Sequence, residues 1–282
     1  MSASENALRA RKTWRTVELL HSMIYFVPEG PQAFEQLGIT GSAGYFASRA
    51  APMGAVSGDV VVSTFYNFNP ELVRAAIPRA WQITSPAALL TARLEAVDRS
   101  MHRVLGGDVL TSPEMTRAAE LLRVAALDAC GRIEGRPLAA GHADLDWPDQ
   151  PHLILWHAQS ILREYRGDGH VAVLVTHGLS GIDALITYAA TGEVSTQVLQ
   201  STRGWTSERW DAAIENLRSR GWLADGPELL LSEWGANQRR EIENQTDLLA
   251  ADPYSALGDT GCEELRSLAR PWSKVFADIL FR

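Results

Sequence analysis

The chain has 282 residues, 46% of them hydrophobic and 21% charged, which is room for one large domain or two small ones around a sizeable core. Lys and Arg number 26 against 34 Asp and Glu, and the net charge of −8 excludes a chain-wide attraction to nucleic acid or to an anionic membrane. The cysteines Cys130 and Cys262 offer neither metal spacing nor a disulfide framework, the opening MSASENALRARKTW lacks a signal-peptide core, and no apolar run is long enough to cross a bilayer, so a reducing cytoplasm is expected.

Ser4 to about Tyr25 has helical spacing, with Leu8, Val17, Leu20 and Ile24 inward and Arg9, Arg11, Lys12 and Arg15 on the polar face. Pro28-Glu29-Gly30-Pro31 stops it. Gln32 to Leu37 and Ser42 to Ala51 read as short helices, parted by Gly38 and Gly41, and Pro70 to Trp81 reads as another. Pro86 to Leu105 and Pro113 to Ala129 each open with Ser-Pro, a capping serine followed by proline at the first helical position. Gly131 to Gly141 reads as a loop. His152 to Tyr165 is predicted helical, Arg166-Gly167-Asp168-Gly169 interrupts it, and His170 to His177 resumes.

Ser195 to Thr202 is a short amphipathic stretch that Arg203-Gly204 breaks. Thr206 or Ser207 caps the next helix, whose apolar face is Trp210, Ala213, Ile214 and Leu217 and which ends at Gly221. Trp222-Leu223 and Leu229 to Leu231 flank the turn Asp225-Gly226-Pro227. Ser232 to about Ala251 and Gly261 to Phe281 are long amphipathic helices. Helix, turn, helix, hairpin and long helix is the order of a winged helix; the alternative is a helical bundle with one tight hairpin.

Parts of this unit recur earlier in the chain. Gly54 to Thr64 matches Gly192 to Thr202 at Gly, Val, Ser, Val, Ser and Thr. Gly38-Ile-Thr-Gly41 matches Gly178-Leu-Ser-Gly181, and FNPELVRAAI matches WTSERWDAAI. An internal repeat of about half the chain is the reading, with coincidence among small residues as the alternative. The expectation is a mostly α protein of two pseudo-symmetric helix-turn-helix repeats, the second with a small β wing. Its boundaries fall at 1–84 for the first repeat, 85–150 for connecting helices, 151–231 for the second repeat, and 232–282 for packing or dimerisation helices.

Ile214, Leu217, Arg220-Gly221-Trp222-Leu223, Leu231-Ser232 and Gly235 resemble the C-terminal half of MarR-type winged-helix regulators. Nearly the whole chain, through YFASRAAPMG, FYNFNPELV, PHLILWHA, REYRGDGHVA and STRGWTSERW, resembles an uncharacterised actinobacterial helix-turn-helix family. The first resemblance implies DNA binding, ligand response and a homodimer held by the C-terminal helices, with Leu248, Leu249, Leu265, Leu268, Trp272 and Phe276 either dimerising or closing the core.

The candidate recognition helix offers Ser207, Arg209, Asn216 and Arg218 to DNA, but the acids Glu208, Asp211 and Glu215 offset its two arginines. MarR-type wings carry an arginine for the minor groove; Ala224 to Glu228 carries no cation. His152, His157, His170 and His177 crowd one region without the spacing of a metal site, so no metal is assigned. A histidine ligating haem, or working as acid or base, stays open.

The segment Arg166 to His170 suggests an anion cradle at a fresh helix start. Glu29 is predicted to face Asp168 across the repeat axis, with Tyr25, Trp156 and His157 leading in. Tyr45, Arg49, Tyr66 and Asn67 join from the phrases shared with the family, and Arg49, on an apolar helix, calls for an acidic partner. No nucleophile motif is present, and no catalytic residue or cofactor is assigned. These readings point to a small molecule bound between the repeats of a ligand-responsive, MarR-like transcriptional regulator. The alternatives are an enzyme or cofactor-binding (haem) protein on a winged-helix scaffold that has lost DNA binding, and a DNA-repair protein.

Overall fold

The structure, a computed structural model, describes residues 2–280. Helix α1 (Ala3–Ser22) opens with a capping box between Ser2 and Glu5 and runs through a 3-10 turn, Met23–Tyr25, towards α2 (Glu29–Gln36). A small unit follows: α3 (Gly41–Ala50), α4 (Gly58–Phe65), α5 (Pro70–Ala76) and α6 (Arg79–Ile83). Next come α7 (Pro86–Leu105), α8 (Gly107–Leu110), α9 (Pro113–Cys130), α10 (Pro137–Ala143) and the long α11 (Pro151–Thr176). A second small unit is α12 (Gly181–Ala189), α13 (Thr196–Arg203) and α14 (Ser207–Ser219). The chain closes with α15 (Glu233–Leu249), α16 (Asp252–Ser255) and α17 (Gly258–Leu280). Phe281, expected in the last helix, lies outside the described residues. The Ser and Thr cues are used as read: the hydroxyls of Ser85, Ser112, Thr206 and Ser232 each accept an amide in the first turn of α7, α9, α14 and α15.

Three apolar clusters hold these helices. The central one joins α1, α7, α9, α11, α16 and α17 through residues such as Leu20, Met101, Leu122, Leu155 and Phe276. A second lies inside the first small unit around Phe46, Phe65, Phe68 and Ile77. The third lies inside the second unit around Leu185, Leu199, Trp210, Leu217 and Trp222. Helix α11 belongs to two of them: Leu153 to Tyr165 enter the central bundle, and Val173 and Leu174 enter the second unit. Helix α1 runs parallel to α17, with Asn6, Arg9, Thr13 and Thr16 bonded in step to Ser255, Asp259, Arg266 and Ser273. Leu265, Trp272 and Phe276 close this core and Leu268 packs against it, whereas Leu248 and Leu249 are exposed.

Several expectations change. Among the described residues the wing forms no strand: Leu223 and Leu231 make one isolated antiparallel bridge. Asp225, Gly226, Pro227 and Glu228 between them are exposed, so the hairpin has no second apolar face to bury and its proline cannot donate. Pro70 to Trp81 is two helices, because Pro78 lacks an amide and holds Ile77 extended. Leu8 is exposed while Arg9 is buried against Asp259. No break occurs at Arg166 to Gly169; α11 passes straight through. The supposed loop from Gly131 contains α10, whose Leu138 and Ala139 amides donate to Asp168 Oδ2 at 3.0 and 2.9 Å. Asp168 therefore caps another helix from inside its own. Gly169 is small because Arg136 lies against it: a Cβ there would stand 2.6 Å from Arg136 Nη1.

Candidate functional site

Between the first unit, α11 and the second unit lies a cleft of about 360 Å³. Tyr45 and Arg49 of α3 reach it, as do Phe65, Tyr66, Asn67 and Phe68 from the end of α4 and the turn into α5. Helix α11 supplies Arg163, Glu164, Arg166, Asp168 and His170, α12 supplies Tyr188, and α13 and α15 supply Arg203 and Arg239. Trp14 and Glu18 of α1 complete the floor.

The two small units touch along one edge of this cleft. Tyr66 holds a left-handed backbone (φ 52°) and donates its hydroxyl to the Leu179 carbonyl. Asn69 N–H donates to the Arg203 carbonyl at 2.9 Å, Asn69 Nδ2 to the Gly204 carbonyl at 2.8 Å, and Trp205 Nε1 to the Asn67 carbonyl at 2.9 Å. Gly181 packs so closely that a Cβ would stand 1.9 Å from the Tyr66 carbonyl oxygen.

The charges are mostly spoken for. Arg49 is largely buried, its side chain 11% exposed, and lies 3.2 Å from Glu164, the acidic partner that its apolar helix called for. Its Nη1 donates to the Tyr45 hydroxyl at 2.8 Å, and its guanidinium lies 4.4 Å over the Phe65 ring. Glu164 also takes Arg163 at 2.6 Å; burial pushes its carboxyl up, but Arg49 and Arg163 overcome that and hold its pKa at about 2. Arg163 bonds Glu18 at 2.8 Å, Arg166 bonds Asp247 at 2.7 Å, and Arg239 bonds Glu243 at 3.2 Å. Arg203 differs. Among the described residues no carboxylate pairs with it; its Nη1 meets Thr202 Oγ1 at 2.9 Å, its Nε is buried without a partner, and it lies 4.8 Å over Phe68. Burial, with the charge of Arg49 nearby, holds its pKa below the usual arginine value.

Of the residues singled out from sequence, Tyr45, Arg49, Tyr66, Asn67, Arg166, Asp168 and His170 line this cleft. Four do not. Tyr25 accepts from Arg93 and lines a neighbouring hollow of about 220 Å³. Glu29 pairs with Arg103 and meets no Asp168. Trp156 stacks on His21 at 5.0 Å in the central bundle, and His157 meets Trp147 edge-on at 4.8 Å. The anion cradle at Arg166 to His170 is absent because those amides are spent inside α11. Sequence reading missed Arg163, Glu164, Tyr188, Arg203, Arg239, Trp14 and Glu18. The adjacent charges of Arg163 and Glu164 within an otherwise apolar helix were the available signal.

Along the cleft, among the described residues, the histidine is His170, whose Nδ1 meets Thr246 Oγ1 at 2.9 Å. Burial lowers its pKa to about 4, that of His157 to about 4 and that of His142 to about 3; His21 is also pushed well down. In acid the unfolded chain therefore takes up protons that these buried imidazoles refuse. Asp168 acts in the opposite sense, since burial raises its pKa to about 6 and its contribution is lost as pH rises through that value. Four histidines outweigh one aspartate. Stability present above the ordinary histidine value of 6.5 should fall steadily towards pH 4, by several kcal/mol in order of magnitude. Urea midpoints measured from pH 7.5 to 4 check this, and an unchanged midpoint at pH 4.5 contradicts it.

On the second unit, α14 exposes Ser207, Glu208, Arg209, Asp211, Glu215 and Asn216. Arg209 lies 4.8 Å over Trp205, and Arg218 is held by Glu215 at 2.7 Å and the Gly226 carbonyl at 2.8 Å. Among the described residues no single helix is long and apolar enough to cross a membrane.

The sequence pattern of a helix-turn-helix family matches residues 10–280, and the chain belongs to that family. Neither a curated protein nor a solved structure matches it.

Proposed function

We propose that this protein is a ligand-responsive regulator of the helix-turn-helix type, MarR-like in its second unit, that holds a small anionic molecule with a flat apolar body in the cleft. One observation carries the reading: Arg203, a partly buried guanidinium facing the cleft with no carboxylate partner among the described residues, beside the rings of Phe68, Tyr45 and Tyr66. Apolar walls with a few convergent polar groups are what small-molecule sites use, and a planar guanidinium favours a carboxylate or phosphate oxygen pair. Arg203 ends α13, one turn before α14, so an anion drawn to it bears on the candidate recognition helix. The two units are read as copies of one module. In support, α4 ends at Tyr66 and α13 at Gly204, both with positive φ (52° and 71°), and these two turns are the ones that meet. The chain divisions near residues 84, 150 and 231 and a homodimer through the C-terminal helices belong to the same reading.

Thermal-shift titration with aromatic carboxylates, benzoate as the simplest, is the test. The wild type is expected to be stabilised and Arg203→Ala to lose about tenfold or more in affinity, as for a lost charge-assisted hydrogen bond. No shift with any member, or an equal shift in the variant, removes the proposal.

The acidic exposed face of α14, with Arg209 and Arg218 already engaged, favours a second reading: a metabolite- or haem-binding protein, or an enzyme, that kept the scaffold without DNA contacts. Fluorescence polarisation against the gene's own upstream DNA at low salt separates the two, since only a regulator retains that DNA over random duplex. An absorbance spectrum of the purified protein checks for a bound chromophore.

A further inference from the structure

Outside the cleft, α7 and the start of α11 bring together three side chains that the histidine spacing did not reveal. Asp98 and His102 stand one above the other, four residues apart on α7. His152, the second residue of α11, points its buried ring at them. His152 Nε2 is 2.6 Å and His102 Nε2 3.6 Å from the same carboxylate oxygen, Asp98 Oδ1. The two imidazole rings are 5.6 Å apart and nearly perpendicular at 81°. One ligand atom from each of the three residues lies within 4.8 Å of the others.

We propose that Asp98, His102 and His152 form a zinc site with three protein ligands and a fourth position open to solvent. Zinc bonds nitrogen and carboxylate oxygen at about 2.0–2.2 Å in a tetrahedron, which sets ligand atoms roughly 3.3 Å apart. The present spacing straddles that value, so rotation of the half-exposed Asp98 and His102 side chains closes the site around the ion without moving either helix. Two imidazoles select a borderline metal over magnesium or calcium, which take oxygen. His152 is fixed by burial and the other two are free to adjust, which suits a site assembled by the ion. Bound zinc would clamp α7, which follows the first unit, to α11, which leads into the second. The open position, with its solvent ligand, makes the site more than a staple, since zinc acidifies the water it holds.

The test uses the full-length, tag-free chain, dialysed against chelator and titrated with Zn²⁺ by calorimetry and with Co²⁺ by visible absorbance. One saturable equivalent of Zn²⁺ is expected, unaffected by excess Mg²⁺, with the Co²⁺ complex showing the intense visible bands of four-coordination. His102→Ala and Asp98→Asn change half-exposed side chains and should keep the wild-type circular dichroism. Each should weaken Zn²⁺ binding by about tenfold or more, at least the loss seen when a ligand's supporting partner is removed. Absence of a saturable equivalent in the wild type, or Zn²⁺ binding in both variants equal to wild type, overturns the proposal.

Discussion

Glu164→Ala is expected to lower the free energy of unfolding by about 3–5 kcal/mol, the cost of leaving a buried charge without its partner. Glu164 faces Arg49 at 3.2 Å and Arg163 at 2.6 Å, with its side chain 6% exposed. Its removal leaves the largely buried Arg49 beside Arg163 with no carboxylate of its own. Glu18 supplies the internal control. It pairs with Arg163 alone among these arginines, at 2.8 Å, and its side chain is 21% exposed. Water covers part of that loss, so Glu18→Ala should cost about 1 kcal/mol. Urea unfolding of both variants measures the contrast. A Glu164 loss no larger than the Glu18 loss would show that the arginines are not held against one another by this carboxylate.

Gly181→Ala should be the most damaging exchange of a single hydrogen for a methyl. The added carbon meets the Tyr66 carbonyl oxygen at 1.9 Å and the Asn67 Cα at 3.0 Å, all main chain. No rotamer relieves that, so α12 must move away from the turn that carries Tyr66, at about 1–3 kcal/mol or more. The same shift breaks the Tyr66 hydroxyl's bond to Leu179. Gly167→Ala is the counter-case. Its new carbon lies 3.6 Å from Glu164 Oε2, in ordinary contact within a long helix, and the variant should gain about 0.5–1 kcal/mol of stability. Thermal melts of the two variants check the signs, and a harmless Gly181→Ala would mean that the two units do not meet at this point.

What the sequence disclosed, and what it hid, follows from how far each interaction reaches along the chain. The helices opened by Ser-Pro at 85 and 112, and the starts at Thr206 and Ser232, were legible because the capping hydroxyl lies within three residues of the amide it serves. The Arg166 to Gly169 segment misled for the opposite reason. Its Gly169 answers Arg136 and its aspartate answers the amides of 138 and 139, about thirty residues earlier, so local punctuation rules assigned a break to what is a packing device. The hairpin of the second unit had the turn residues of a wing without the alternating apolar face that would make strands. In the cleft, Arg49 was legible as a charge on an apolar helix. Arg203 was not, because nothing local distinguishes an arginine whose carboxylate partner is missing. The grouping of Asp98 and His102 with His152 needed the crossing of two helices fifty residues apart.

The parallel pairing of α1 with α17 also governs when this molecule can become native. Val17, Leu20 and Ala10 on α1 are made more than two hundred residues before the helix that covers them, since α1 ends at Ser22 and α17 begins at Gly258. At translation speeds of about 5–20 residues per second, the opening helix waits on the order of ten seconds or longer for its mate. The central bundle thus cannot close until α17 has been made, and until then the emerging chain carries an uncovered oily stripe that invites chaperone capture.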